Sequence, residues 1–412
     1  MNKEAIKISK QQARLFLTQY HFLYPARSLT KEQILPNLFQ RLKCIQFDTI
    51  NVVGRNADLV LQSRVKNYTP DILDQHLYQD RVLIDGWDKV ASIYPTEDWP
   101  YFDRHRNYIK ESHRNNRSDV TKIKPKVTQL IGENGEMSSI HFKDKSKTDW
   151  AWGPTSVSRA ALDSLYAEGV LGIHHRVNTR RHFDLIERLV PEKILKQPDP
   201  NQTLDEYLEW HILRRISSVG IASPKSGEHW LGIHKGRLSK VRNKVINRLL
   251  EKDEIVLLEI DGLEGKVFFL RADSLSFLEN ISTPNQDPSA AFIAPLDNLI
   301  WNRALVNDIF DFSYVWEVYK PKDKREYGYY VLPVLYGENF IARVDMKFDS
   351  KLNRLNLNNW WWEPGIKQTE EIHTALHDAF KGFIDYLSAD SFEVNIDAIS
   401  NEFIRNILFQ LV

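Results

Sequence analysis

The sequence predicts an α+β fold in which tandem winged-helix modules precede a C-terminal β-rich region with a long helix. Two stretches each read as a helix followed by a two-stranded hairpin, the order of elements in a winged helix. Beyond residue 290 the pattern changes to strands, and Glu370 to Leu387 places apolar residues at helical spacing. With 412 residues the chain exceeds the size at which one hydrophobic core keeps growing, so several modules are expected.

The N-terminal elements follow from cap and proline signals. Ser9 is a typical N-cap residue and predicts the start of the first helix. A second helix is expected from about Leu35 to Leu42, with Pro36 in its first turn. An extended segment containing Gln46 follows, then a helix that opens at Thr69-Pro70 and a short strand at residues 81–84.

The two helix-hairpin stretches lie in the middle of the chain. Residues 156–168 predict a helix that ends at Gly169, followed by strands on either side of a turn at residues 177–180. Residues 236–252 predict a basic helix, after which two strands flank an Asp261-Gly262 turn. Further strands are expected at residues 314–319, 327–335 and 340–345.

These elements predict four regions. Residues 1–150 form an N-terminal winged-helix-like module with a basic segment, and residues 151–200 and 201–280 form the second and third winged-helix modules. Residues 290–412 form the β-rich domain with its amphipathic helix. Proline and polar residues at 198–202 and 282–289 predict the hinges on either side of the third module.

Composition restricts the possible partners and compartment. Lysine plus arginine number 55, as do aspartate plus glutamate, so any affinity for a polyanion must come from local patches. The lone Cys44 cannot form an intrachain disulfide. No apolar run is long enough for a signal peptide core or a membrane span, which predicts a cytoplasmic protein without a membrane partner.

Two clusters concentrate the positive charge. Residues 104–126 contain eight lysines and arginines, and residues 235–252 contain seven. Such clusters are often solvated faces. The second cluster, however, includes Lys240 and Arg242 on the helix that a winged-helix module presents to DNA. Arg176, Arg180 and Arg181 lie in or beside the predicted wing of the second module, which favours binding to duplex DNA through its phosphates.

The sequence gives no sign of a metal or cofactor. His373 and His377 have helical spacing but lack the adjacent glutamate of a zinc protease. His174 and His175 alternate faces of a strand and have no ligand partner close in the sequence. Phosphate-binding loops, dinucleotide fingerprints and nucleophile elbows are also missing from the sequence. The Trp360-Trp361-Trp362 run is interpreted as a hydrophobic seam rather than a base-stacking site.

Gln46 and Asp48 are the candidate catalytic pair. In an extended segment they project from one face, so an amide and a carboxylate are presented together. Such a pair can hold and polarise a water molecule. An aspartate at the end of a short strand also commonly caps the following turn, and spacing alone does not separate these two interpretations.

Residues 45–53, followed by Leu61-Gln62-Ser63-Arg64, resemble the signature of the YcaQ/AlkX and AlkZ family of winged-helix DNA glycosylases. This family unhooks interstrand crosslinks and excises bulky alkylated purines. Further similarity runs in order along the chain, at Trp87 with Ala91, Ser92 and Pro95; at Trp152 with residues 158–163; at residues 294–303; and at residues 327–337.

The resemblance implies a function and roles for residues. Gln46 and Asp48 match the Gln-x-Asp, YcaQ/AlkX-like branch, which implies a monofunctional glycosylase for N7-alkylguanine adducts and crosslinks. Asp48 would stabilise the sugar cation and accept a proton from water, while Gln46 would orient the water. The family's DNA-binding channel implies contacts from Arg64 and from Lys89, which stands where relatives carry His.

The expected partner is therefore double-stranded DNA with alkylated or crosslinked guanine, bound by a monomer that associates with the nucleoid during repair. Neither a cofactor nor a metal is expected. The alternative is a transcriptional regulator built from winged helices, in which the Gln-Asp pair serves only as a cap. A nuclease is disfavoured because no acidic cluster suited to paired metals stands out in the sequence.

Overall fold

The computed structural model describes residues 4–143, 146–150, 153–233, 239–285, 287–395, 397–399 and 401–409. The chain divides into two compact units. The first contains Met1–Ile72 and Leu208–Val412, and the second contains Leu73–Tyr207. Within the described ranges no helix has the length and apolar character needed to cross a bilayer.

The strands are short in the first two thirds of the chain and longer near the C-terminus. They are β1 (Ile6–Ile8), β2 (Ile45–Gln46), β3 (Leu83–Trp87), β4 (Ala91–Pro95), β5 (Met137–Ser138), β6 (Lys147–Trp150), β7 (Gly153–Ser156), β8 (Leu171–Val177), β9 (Arg180–Leu185), β10 (Ile255–Ile260), β11 (Phe268–Arg271), β12 (Ala290–Phe292), β13 (Val331–Tyr336), β14 (Asn339–Asp349), β15 (Arg354–Trp362) and β16 (Ser391–Val394).

The α-helices range from one turn to five. They are α1 (Lys10–Tyr20), α2 (Gln40–Leu42), α3 (Asn56–Gln62), α4 (Pro70–Asp74), α5 (Asp103–Asn116), α6 (Ser118–Asn134), α7 (Val157–Ala167), α8 (Glu192–Leu195), α9 (Leu204–Val219), α10 (Ser239–Glu251), α11 (Leu275–Glu279), α12 (Arg303–Phe310), α13 (Glu370–Leu387) and α14 (Glu402–Phe409). Two π-helical segments, Ile34–Phe39 and Gln75–Gln79, adjoin α2 and α4.

Two sheets form entirely among the described residues of the first unit. In the smaller sheet, β1 pairs in parallel with β10, Ile6 lying opposite Leu258, and β10 pairs antiparallel with β11. The larger sheet has the order β12-β13-β14-β15-β16, with antiparallel pairing except between β15 and β16. Helix α13 packs on this sheet, where the ring of Phe292 lies 4.9 Å from that of Phe380.

The second unit has an α-helical core beside small sheets. Strands β3 and β4 form an antiparallel pair, β6 and β7 form another, and β5, β9 and β8 form a sheet in that order. Apolar residues of α6, including Val120, Val127 and Ile131, share one core with Leu162 and Leu165 of α7. The predicted boundary at residue 150 therefore cuts across a single core, because α6 and α7 bury their apolar faces against each other.

Strong local signals gave correct elements. Ser9 caps α1 in a capping box with Gln12, and α7 is followed by Gly169 with a φ of 75°. The predicted hairpins correspond to β8–β9 and β10–β11, and the predicted long helix matches α13. Residues 236–238 of the predicted basic helix lie outside the described residues, and its described part begins at Ser239.

The strand predicted at residues 314–319 is wrong. This segment contains a single 3₁₀ turn, Glu317–Tyr319, and no strand. Its aromatic and β-branched residues favoured a strand, but the buried carboxylate of Glu317 instead accepts backbone hydrogen bonds from residues 326–328. These bonds, together with the 2.9 Å bond from the N–H of Lys320 to the backbone oxygen of Glu317, hold the segment in a turn rather than an extended strand.

Candidate active site and nucleic-acid interface

Strand β2 ends at Gln46, and a side chain of the neighbouring helix α3 holds this strand in place. The backbone oxygen of Gln46 accepts a hydrogen bond of 2.8 Å from Nδ2 of Asn56, the first residue of α3. The other side-chain atom of Asn56, Oδ1, accepts a bond of 3.1 Å from the backbone N–H of Leu296. Gln46 is buried, and Asn56 therefore ties its strand to the segment that begins at Ala294.

Asp48 follows in the loop after β2 and is half-buried. Its Oδ1 accepts a hydrogen bond of 2.8 Å from the backbone N–H of Ile50, so the side chain does cap the turn. Burial raises the pKa of Asp48 above its ordinary value, and the bond from Ile50 only partly opposes this rise. A carboxylate has a second oxygen, so the cap and a bond to water are compatible.

Tyr319 and Tyr330 lie within electrostatic reach of Asp48. Burial raises the pKa of Tyr319, and the Asp48 carboxylate adds to the rise. Burial, with the charges of Tyr314 and Asp48, also raises the pKa of Tyr330. The two rings differ in exposure, because Tyr330 is buried whereas 74% of Tyr319 is exposed. A solvent-facing aromatic ring thus stands near the candidate catalytic carboxylate, and the sequence analysis did not identify it.

Tyr319 belongs to residues 315–329, here called the aromatic-basic loop. Glu317 anchors this loop by accepting bonds of 2.7 Å from Nζ of Lys320 and 2.9 Å from the N–H of Tyr327. Burial alone would raise the pKa of Glu317, but these donors outweigh it and lower the pKa to about 2. The anchored loop exposes Tyr319 together with Lys322 and Lys324. An exposed aromatic ring beside lysines can bind a nucleic acid, because the ring stacks on a base and the lysines contact phosphates.

Arg64 is not exposed to a ligand. Its Nη1 and Nη2 each donate a 2.8 Å hydrogen bond to the carboxylate of Asp297, and both side chains are fully buried. Its Nε donates to the backbone oxygen of His21 at 2.7 Å. Burial lowers the pKa of His21 to about 3, so the imidazole stays neutral beside this cation. The Arg64 guanidinium therefore holds α3 to the segment around Asp297.

Burial also argues against DNA contact by three other residues predicted to provide it. Lys89 is 2% exposed in the turn between β3 and β4. Arg176 donates from Nη2 to Asp85 at 2.9 Å, and both side chains are buried. Arg242 is buried in α10, where Nη2 donates to the backbone oxygen of Pro224 at 2.8 Å. Arg176 and Arg242 hydrogen-bond within the protein because their strand and helix turn these side chains toward the core.

Other predicted DNA contacts remain accessible. Lys240 is exposed on α10, and Lys244, one turn further on, is exposed beside it. Arg180 is exposed at the β8–β9 turn, and Arg181 is partly exposed while paired with Asp163. Lys244 was missed although its spacing from Lys240 gives the signal. Two further cations of this cluster, at positions 235 and 237, lie outside the described residues. Trp152, part of the family resemblance, also lies outside them.

Comparison with known proteins identifies relatives of the whole arrangement. The model of the AlkZ-like DNA glycosylase family matches residues 39–381, which include Gln46, Asp48 and the aromatic-basic loop. Among solved structures, the DNA glycosylase AlkZ of Streptomyces sahachiroi is similar with a TM-score of 0.61 and 16% sequence identity. That similarity covers 95% of this chain and 100% of the AlkZ chain. At this identity the structural comparison establishes the fold alone.

Proposed function

We propose that this chain, which belongs to the AlkZ-like DNA glycosylase family, is a monofunctional glycosylase for N7-alkylguanine that also unhooks interstrand crosslinks. Family membership makes the chain a DNA glycosylase. What we propose is the lesion that it removes and the catalytic roles of Gln46 and Asp48. The half-buried Asp48 carries the proposal. A carboxylate with a pKa raised by burial, held by one backbone N–H, is a stronger base than an exposed one.

The chemistry follows from the charge of the lesion. Alkylation at N7 makes guanine cationic, so the base leaves with the electrons of the glycosidic bond and needs no protonation first. Positive charge then develops on the deoxyribose, and the Asp48 carboxylate stabilises it. Water attacks the anomeric carbon and gives its proton to Asp48, while Gln46 orients the water. The products are the free base and an abasic site, with the strand intact.

Exposed side chains bind the DNA. Lys240 and Lys244 on α10 and Arg180 at the β8–β9 turn contact phosphates. The two helix-hairpin stretches, α7–β8–β9 and α10–β10–β11, serve as winged helices. Tyr319 of the aromatic-basic loop lies against the nucleotides beside the lesion, because an exposed ring near Asp48 can stack on a base. The protein acts as a monomer in the cytoplasm and associates with the nucleoid during repair.

Replacement of Asp48 by Asn tests the catalytic role. Asp48→Asn keeps an oxygen that can accept the Ile50 bond but removes the base, so release of N7-alkylguanine from a duplex should slow about 10²- to 10⁴-fold. Single-turnover release, followed by mild base to reveal abasic sites, measures the effect. Asp349→Asn is the matched control, because the Asp349 side chain also accepts a backbone N–H two residues on.

The fold of the variant provides a second check. Since burial raises the pKa of Asp48, the ionised carboxylate costs stability at neutral pH, and Asp48→Asn should unfold at no lower temperature than the wild type. A stable Asp48→Asn protein that releases base at the wild-type rate would exclude Asp48 as the base. A wild-type protein that binds one DNA sequence as a dimer and turns over no lesion would instead indicate the regulator.

A further inference from the structure

Three histidines and a glutamate gather at the sheet formed by β5, β9 and β8. His182 lies on the central strand β9, opposite His175 of β8 and Ser138 of β5. Glu136 immediately precedes β5. His141 follows in the next turn, where its Nδ1 accepts a 3.1 Å hydrogen bond from the N–H of Ser138. All of these residues belong to the second unit.

A change of register brings two of the histidines together. Ile173 pairs with Phe183 and His175 with His182, so β8 contains one additional residue, His174, across this step. An extra residue of this kind redirects the side chains that follow it. As a result, the rings of His175 and His182 stack with their centroids 4.4 Å apart. The pairing joins residues seven positions apart across a hairpin, and Glu136 comes from the residue just before a third strand, β5.

The donor atoms of this group converge. One ligand atom each of Glu136, His175 and His182 lies within 4.8 Å of the other two. A tetrahedral ion bound at about 2 Å from each donor needs donors about 3.3 Å apart, so the side chains must close slightly on binding. Glu136 can do so, because 41% of its side chain is exposed, whereas His182 is held in place with 13% exposed.

The central histidine also lacks a partner. Within the described residues, Nδ1 of His182 is buried without a hydrogen bond, 4.0 Å from Oε1 of Glu136. A ring nitrogen without a hydrogen bond can offer its lone pair to a metal ion, the way in which neutral histidine binds metals.

We propose that Glu136, His175 and His182 bind one divalent transition-metal ion of the zinc type. Two imidazoles and a carboxylate favour Zn²⁺, Co²⁺ or Ni²⁺ over Mg²⁺ and Ca²⁺, which prefer oxygen donors only. Three protein ligands leave one coordination position for water. The ion links the residue before β5 to both strands of the β8–β9 hairpin, and it fixes the hairpin two residue pairs from the Val177–Arg180 pair at the turn, where Arg180 is exposed.

Metal binding by the full-length protein, freed of any affinity tag and of metal, tests the site. The wild type should bind one equivalent of Zn²⁺ in competition with a chromogenic chelator, and Co²⁺ should give the intense visible absorption of a four-coordinate site. His175→Ala and His182→Ala should each weaken binding more than about 100-fold, since even loss of an outer-shell partner costs 10- to 100-fold. Glu136→Gln should weaken it less, because the amide oxygen can still ligate.

The matched control is His377→Ala, which removes a partly exposed histidine from α13 that also has another histidine, His373, one turn away. Its zinc affinity should equal that of the wild type. Circular dichroism of the metal-free variants verifies that they fold. A folded His175→Ala/His182→Ala double variant that binds Zn²⁺ as tightly as the wild type would overturn the proposal, as would a wild type that binds none. Neither outcome depends on glycosylase activity.

Discussion

Asp48 and Asp345 show how burial tunes single carboxylates in the first unit. Burial raises the pKa of both, and it raises that of Asp345 to about 6 despite a hydrogen bond from Asn358. Asp349, on the same strand β14, has a lowered pKa because its carboxylate accepts the N–H groups of Lys351 and Leu352. The same residue type is thus a strong or a weak base according to its immediate surroundings.

The raised pKa of Asp345 predicts a pH-dependent cost in stability. Below the pKa of about 3.8 of an unfolded aspartate the carboxyl is protonated in both states, and its favourable contribution is complete. That contribution is lost as the pH rises through about 6, where the folded carboxyl ionises. Asp345→Asn should therefore be more stable than the wild type at pH 7.5, and the difference should shrink at pH 4, as measured by urea denaturation.

Asp349→Asn serves as the control of opposite sign. Because the folded pKa of Asp349 is lowered, its carboxylate stabilises the protein above the unfolded pKa, and that stability is lost as the pH falls through the lowered folded pKa. The variant should be less stable than the wild type at pH 7.5. If Asp345→Asn showed the same sign as Asp349→Asn at neutral pH, burial would not govern the Asp345 carboxyl.

At the scale of single elements, α10 separates a structural face from a solvent face. Arg242 is buried with Val245, Ile246 and Leu249, whereas Lys240 and Lys244 are exposed. Arg248 and Lys252 pair with Glu209 at 2.9 and 2.6 Å. The basic composition of the helix therefore overstates its available charge, since several of its cations are neutralised or buried.

This division predicts which lysines bind DNA. Lys240→Ala/Lys244→Ala should weaken binding to undamaged duplex and lower the salt slope, the change of log affinity with log salt, by about 1.8, or about 0.9 for each phosphate that is no longer neutralised. Fluorescence anisotropy over a range of salt concentrations measures both. Asn243→Ala, an exposed neutral change on the same helix, should alter neither. An unchanged slope in the double variant would show that this face of α10 does not bind DNA.

At the scale of the whole molecule, the first unit is assembled from distant parts of the chain. Strand β1 pairs with β10, and Arg64 binds Asp297 although 233 residues separate them. Asn298, next to Asp297, donates from Nδ2 to the backbone oxygen of Cys44 at 2.9 Å. The sequence motifs around Arg64 and Asp297 thus meet in one buried network that supports the segment carrying Gln46 and Asp48.

Loss of Arg64 should therefore lower the free energy of unfolding and leave the affinity for DNA unchanged. Arg64→Ala leaves the Asp297 carboxylate buried and unpaired, which should cost about 3–5 kcal/mol of unfolding free energy. Arg64→Lys should recover little, because an ammonium cannot form the two parallel bonds. In the control, Lys7→Ala breaks the exposed 3.7 Å pair with Glu259 and should change stability by about 0–1 kcal/mol.

Urea denaturation of the three proteins checks this prediction. Arg64→Ala and Lys7→Ala proteins of equal stability would contradict it, since a fully buried pair and an exposed pair would then contribute alike. DNA binding of Arg64→Ala, measured under conditions where the variant remains folded, should match the wild type, because the guanidinium does not reach the surface.

Local chemistry by itself determined much of this protein. The N-cap at Ser9, the two helix-hairpin stretches, helix α13 and the Gln46-Asp48 segment follow from caps, turns and periodicity that act within a few residues. Family membership was likewise readable from motifs in order along the chain. These signals survive folding because the energies behind them depend on near neighbours.

Only the tertiary structure decided what the charged and aromatic side chains do. Arg64, Arg176 and Arg242 are arginines in basic or motif-bearing segments like the exposed Arg180, yet the tertiary structure buries their side chains. Tyr319 comes within electrostatic reach of Asp48, and Glu136 comes near His175 and His182, although these residues are far apart in the sequence. Whether a side chain is buried, or meets other side chains in one site, depends on which distant segments fold against it and exclude solvent. No local pattern in the sequence encodes this.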